Sequence, residues 1–113
     1  MAPSAVDLTH LARYTGGDAA LNAEVLRLFD NQASELVERL QSSIDASDTQ
    51  SWRTITHTLK GAARGIGAFG LGDAAAAAEP IDPSDRQTAA AALSVLLHRT
   101  SDVRFFIRAY LAA

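Results

Sequence analysis

Cysteine is absent from this 113-residue chain, which excludes a disulfide framework and any thiolate metal site and leaves a reducing compartment as suitable as any other. Long apolar runs are missing as well. No stretch approaches the ~20 apolar residues of a membrane-spanning helix, and the opening MAPSAVDLTHLARY has no basic segment followed by an apolar one. A soluble, cytoplasmic protein with no membrane contact is expected. Positive charge is scarce: ten Lys plus Arg stand against thirteen Asp plus Glu, a formal net charge of -3. That balance argues against the broad basic face that a phosphate backbone requires, so nucleic acid is not an expected partner. Aromatics make up only 6% of the chain and prolines number three, and nowhere do β-branched and aromatic residues alternate as in a strand.

What is abundant is alanine and leucine, which favour helices, in a length that suits one compact domain over residues 1–113. Asp7 is placed to cap a short helix over 7–14, with Leu8 and Leu11 on one face and TGGD at 15–18 ending it; this segment is expected to act as a lid. Asp18 then caps a long helix to about residue 46, in which Leu21, Val25, Leu28, Gln32, Leu36, Leu40 and Ile44 recur at spacings of three and four and are expected inward. Asp48 caps a third helix carrying Trp52, Ile55, Leu59, Ala62 and Ile66, with Gly65, Gly67 and Gly70 ending it. LGDAAAAAE makes a fourth that stops before Pro80. Asp82 and Pro83 read as N-cap and first turn of a last helix, with Leu93, Leu96, Leu97, Val103, Ile107 and Tyr110 inward and a possible break at TSD, 100–102. Short connections between four substantial helices predict an all-α, antiparallel up-down-up-down four-helix bundle with an N-terminal capping helix.

The third helix carries the chemistry. At 100° per residue, His57 points about 180° from the middle of the stripe formed by Trp52, Ile55, Leu59, Ala62 and Ile66, so it faces solvent. Arg53, Lys60 and Arg64 fall within about 60° of it, and Gly61 and Ala68 lie near it. A lone exposed histidine among cations is usually only a solvated face. Gly61, however, costs about 1 kcal/mol relative to alanine in a helix interior, and a missing side chain beside the ring suits the close approach of another macromolecule. Histidine, with its ordinary pKa of ~6.5, offers a nucleophilic nitrogen at physiological pH, and nearby cations suit a phosphoryl group attached there. Glu79, twenty-two residues on at the end of the fourth helix, is a carboxylate that an antiparallel return brings to the ring. By accepting from Nδ1 it would leave the Nε2 lone pair outward.

At these residues the chain resembles the histidine-containing phosphotransfer (HPt) domains, helical phosphocarriers of multistep phosphorelays. His57, Leu59, Lys60, Gly61, Ala62, Ala63, Ile66, Gly67 and Ala68 follow the family's H-x-x-K-G pattern and its small and apolar-Gly pairs, Glu79 stands at the offset of the residue that orients the histidine, and YTGGDAALNAEVLRLF at 14–29 is similar to the family's entrance. The resemblance implies that His57 accepts a phosphoryl group on Nε2 from a receiver-domain aspartyl phosphate and passes it to another receiver's aspartate. Lys60 would stabilise the phosphohistidine, and Gly61, Arg53, Arg64, Ala68, Phe69 and Leu11 would meet the partner. It also implies receiver domains of response regulators or hybrid histidine kinases as partners, no metal or cofactor on this chain and Mg²⁺ on the receiver. The lack of glycine-rich nucleotide motifs argues against autonomous kinase activity, and a monomer is expected. Arg64 departs from the family pattern, which usually has a small residue there. It either helps bind phosphate and choose partners or turns away from the docking surface.

Two alternatives compete. A sensor histidine kinase box places an acid directly after its histidine and a proline five residues after it, where this chain has Thr58 and Ala62. A non-phosphorylated helical adaptor that only docks receivers is the other, and the intact pairing of His57 with Lys60 disfavours it. A metal site built from His10, His57 and His98 would need residues from three helices with no i, i+4 pairing.

Overall fold

The computed structural model describes residues 4–113, which form five helices and no strand: α1 (Leu8–Thr15), α2 (Ala19–Asp45), α3 (Thr49–Gly65), α4 (Phe69–Ala78) and α5 (Arg86–Ala112). α2 packs against α3 and α5, and α4 packs against the same two, so four helices enclose one core while α1 lies against α2. Trp52, Ile55 and Leu59 of α3 meet Leu26 and Leu40 of α2, Leu71 of α4, and Leu96 and Ile107 of α5 in that core. Among the described residues no helix is long and apolar enough to cross a membrane.

Aspartates start the helices. Asp7, Asp18 and Asp48 each accept from the backbone N–H three residues on, at 3.1, 2.9 and 3.0 Å, satisfying a donor that the first helical turn leaves free. The expected start of the last helix shifts. Asp82 accepts the N–H and the hydroxyl of Ser84 in a local turn, and Asp85 caps α5 instead, accepting the Thr88 N–H at 3.4 Å and its hydroxyl at 2.8 Å. TSD does not break α5, which runs unbroken to Ala112.

The inward stripe of α2 also differs from expectation in its first half. Leu21 and Leu28 are exposed, Leu28 by 65%, while Leu26, Phe29, Ala33 and Val37 turn inward. Apolar residues cover more than one face there, so helical periodicity fits two stripes, and the polar partners decide between them. Asn22 is buried, accepts the Thr15 hydroxyl and donates to the Tyr110 hydroxyl at 3.3 Å; Arg104 donates to Asp30 at 2.8 Å. These bonds tie α2 to α1 and α5 along one side and leave the Leu21–Leu28 side out. Leu97 of α5 is likewise exposed rather than inward.

The α3–α4 turn depends on Gly67, at φ 84, a backbone conformation that is costly for residues with a Cβ. A Cβ there would also lie 2.6 Å from the Asp7 carbonyl oxygen. Asp7 donates its N–H to the Gly67 carbonyl at 3.0 Å, so the entry to α1 is clamped on this turn. Val6 and Leu11 are sealed beneath it. Gly70, expected to help end α3, instead lies inside the first turn of α4.

Candidate functional site

α3 and α4 together build the site. His57 projects from the outer face of α3, its side chain 69% exposed, because the opposite face carries Trp52, Ile55, Leu59 and Ala63 into the core. Glu79 follows the last residue of α4, and its carboxylate reaches back to α3. Oε1 lies 3.1 Å from His57 Nδ1, and Oε2 accepts from Lys60 Nζ at 2.7 Å. One carboxylate therefore engages two α3 residues three positions apart. Lys60 and Glu79 are only 23% and 26% exposed, half-sheltered in the groove between the helices, whereas the imidazole stands above them.

The charge on Glu79 bears on which ring nitrogen of His57 carries the proton. The Lys60 hydrogen bond holds the Glu79 carboxyl below the usual carboxylate range, against partial burial, which pushes it up; the bond from His57 adds to the lowering. An ionised carboxylate only accepts. In the neutral imidazole, Nδ1 must then carry the proton and donate it to Glu79, leaving the Nε2 lone pair directed to solvent. A shallow depression lined by Arg53, Thr54, His57, Thr58 and Glu79 surrounds the ring. Gly61 is exposed one turn on, and a Cβ placed there would meet nothing within 4 Å.

The other expected site residues divide. Arg53 stays at the rim. Arg64 leans onto α4: its stem lies where a Cβ on Gly72 would come within 2.8 Å of Cγ, and its guanidinium stands 3.7 Å from Asp73. It turns along α4, away from the ring. Phe69 is partly exposed, with its ring edge-on to His10 at 5.0 Å, and sits at the α1–α4 junction.

Two expected contact residues are corrected. Ala68 is fully buried, because the helical wheel used to place it ends at Gly65, and the left-handed Gly67 redirects the chain before it. Leu11 is also buried, leaving the exposed side of α1 to Leu8 and Tyr14. Neither offers a surface to a partner. Among the described residues no three His, Asp or Glu side chains gather as a metal site.

Helical phase did not reveal the bond from the buried Trp52 indole N–H to the Ala78 carbonyl, at 2.8 Å. The available signal was chemical: a tryptophan on a core stripe needs an acceptor for its N–H.

The family model for the Hpt domain matches residues 24–104, spanning α3, α4 and most of α2 and α5. The chain belongs to the Hpt domain family. No curated protein sequence matches it significantly. Among solved structures, this Hpt domain is similar to the crystal structure of histidine-containing phosphotransfer protein B (HptB) from Pseudomonas aeruginosa PAO1, with a TM-score of 0.82 and 21% identity over 98% of this chain and 97% of that one. At that identity the likeness shows the fold.

Proposed function

We propose that this Hpt domain is a phosphocarrier in which His57 Nε2 is the phosphoryl acceptor. The observation that carries the reading is the His57 Nδ1 to Glu79 contact at 3.1 Å on an exposed ring. It presents a nucleophilic nitrogen to solvent with its tautomer already selected. Nε2 attacks the phosphorus of an aspartyl phosphate on a receiver domain; the N–P bond forms as the P–O bond breaks, and the aspartate leaves as a carboxylate. The proton on Nδ1 stays in place. Glu79 then faces the positive charge of the phosphoimidazole, and Lys60, bonded to Glu79, is assigned to stabilise the phosphoryl group. Transfer onward reverses the same step on a second receiver.

In this reading the receiver supplies Mg²⁺ and most of the catalytic groups, and this chain supplies an aimed nucleophile and a cleared approach. Open space at Gly61 gives the receiver's rim room, and Arg53 attracts its acidic pocket, raising encounter rates more than affinity. Receivers of response regulators or hybrid kinases are the expected partners, meeting a monomer in the cytoplasm. An up-down-up-down course of α2 to α5, with α1 as the cap, is the topology that fits their short connections.

Incubation with a ³²P-labelled receiver phosphate tests the reading. Acid-labile label should appear on the chain and vanish in His57→Gln. Label that survives this substitution, or never appears on the wild type, overturns it.

A further inference from the structure

α4 poses a problem of register. Between Gly72 and Ala78 its side chains are an aspartate and five alanines, and Ala75 and Ala78 are the alanines fully buried. Such a surface lets helices approach closely but has no large knobs to stop one sliding or turning against the other. Yet Glu79 must be placed within a few tenths of an ångström to bond both His57 and Lys60. α4 has no side-chain cap at its N-terminus either.

A directional bond supplies what packing lacks. Trp52 is fully buried, and its N–H reaches the Ala78 carbonyl at 2.8 Å, the backbone unit immediately before Glu79. That carbonyl already accepts the Ile81 N–H at 3.1 Å, so it does not depend on the indole to be satisfied. The indole is the side in need, since a buried N–H without an acceptor is costly. Trp52 and His57 ride on the same rigid helix, about 7.5 Å apart along its axis. α3 thus grips the end of α4 at consecutive residues, through the Ala78 backbone and the Glu79 carboxylate.

We infer that Trp52 is a positioning residue for phosphotransfer: its indole N–H sets the register of α4 on α3 and thereby aims Glu79 at Nδ1 of His57. The kinetic part rests on the phosphotransfer reading above; the tautomer part does not. The test replaces Trp52 by phenylalanine and, to keep the bicyclic shape without the N–H, by benzothienylalanine. ¹⁵N NMR of the His57 ring nitrogens then gives the ratio of Nδ1–H to Nε2–H in the unphosphorylated protein. That ratio is expected to fall about five-fold, the factor controlled by one hydrogen bond of ordinary strength. Phosphoryl uptake should slow by a similar factor, and adding Trp52→Phe to Glu79→Ala should cost nothing more. An unchanged tautomer ratio in the folded benzothienylalanine protein overturns the inference, as do multiplicative losses in the double variant. If the ratio shifts while the wild type takes up no phosphate, the positioning role stands and the phosphotransfer reading falls.

Discussion

Two histidines in this molecule face a carboxylate, and they differ in almost everything else. His98 lies 3.8 Å from Asp102, one turn along the same helix, with side chains 76% and 51% exposed. His57 meets Glu79 across two helices at 3.1 Å, with Lys60 on the other carboxylate oxygen and the Trp52 indole N–H on the carbonyl one residue before. An i, i+4 pair on a solvated face is free to separate and is worth little. The interhelical carboxylate is also bonded by Lys60, a bond that the ring does not itself make, and on the proposed reading it selects the tautomer of His57. On the phosphotransfer reading, that difference separates a nucleophile from a solvated surface pair.

The comparison breaks most sharply on removal of the rings. His57→Gln should abolish acid-labile phosphorylation, and His98→Gln should leave it unchanged, as read by label transfer from a phosphorylated receiver. Next come the partners. Lys60→Ala or Glu79→Ala should slow transfer about 10- to 100-fold, the range for losing a charge-assisted hydrogen bond, with helicity by circular dichroism retained; Asp102→Ala should do nothing to the rate. Gly61→Gln sharpens the contrast between chemistry and access. It should raise stability by roughly 0.5–1 kcal/mol in thermal melts, because nothing obstructs the new side chain, while slowing transfer from the receiver. Unimpaired transfer would show that the clearance at Gly61 is not used.

The smallest effect is in acid. Glu79 titrates below its ordinary value, chiefly through Lys60, so its contribution to stability is present in full above the unfolded-state value and is lost as pH falls through the lowered one. Asp48 and Asp82, lowered by their serine partners, add to the same slope. Melting curves from neutral to strongly acidic pH should therefore lose less stability in Glu79→Gln than in the wild type.

Much of this was legible in the residues. Asp7, Asp18 and Asp48 announced their helices because capping is a local event, carried by a side chain and an N–H three residues away. The exposure of His57 and its meeting with Glu79 followed from helical phase plus a short antiparallel return. Phase failed where the helix it described had ended, as at Ala68, and where two apolar stripes overlapped, as at Leu28. Asp82 and Asp85 compete for one helix start, and the two bonds that Thr88 donates to Asp85 go with the second. Trp52 was read only as core, because its acceptor is a backbone carbonyl and a backbone carbonyl has no letter in the sequence.

Trp52, His57, Lys60 and Glu79 all fall between positions 52 and 79, within one helix, one turn and the next helix. The chain entropy lost in closing so short a loop is small, and contacts of low sequence separation form early in folding. The His57, Lys60 and Glu79 cluster is therefore expected to assemble before α5 completes the far side of the bundle. Substitutions accumulating along α2 and α5 can then alter stability while the His57–Glu79 contact is kept within its own hairpin.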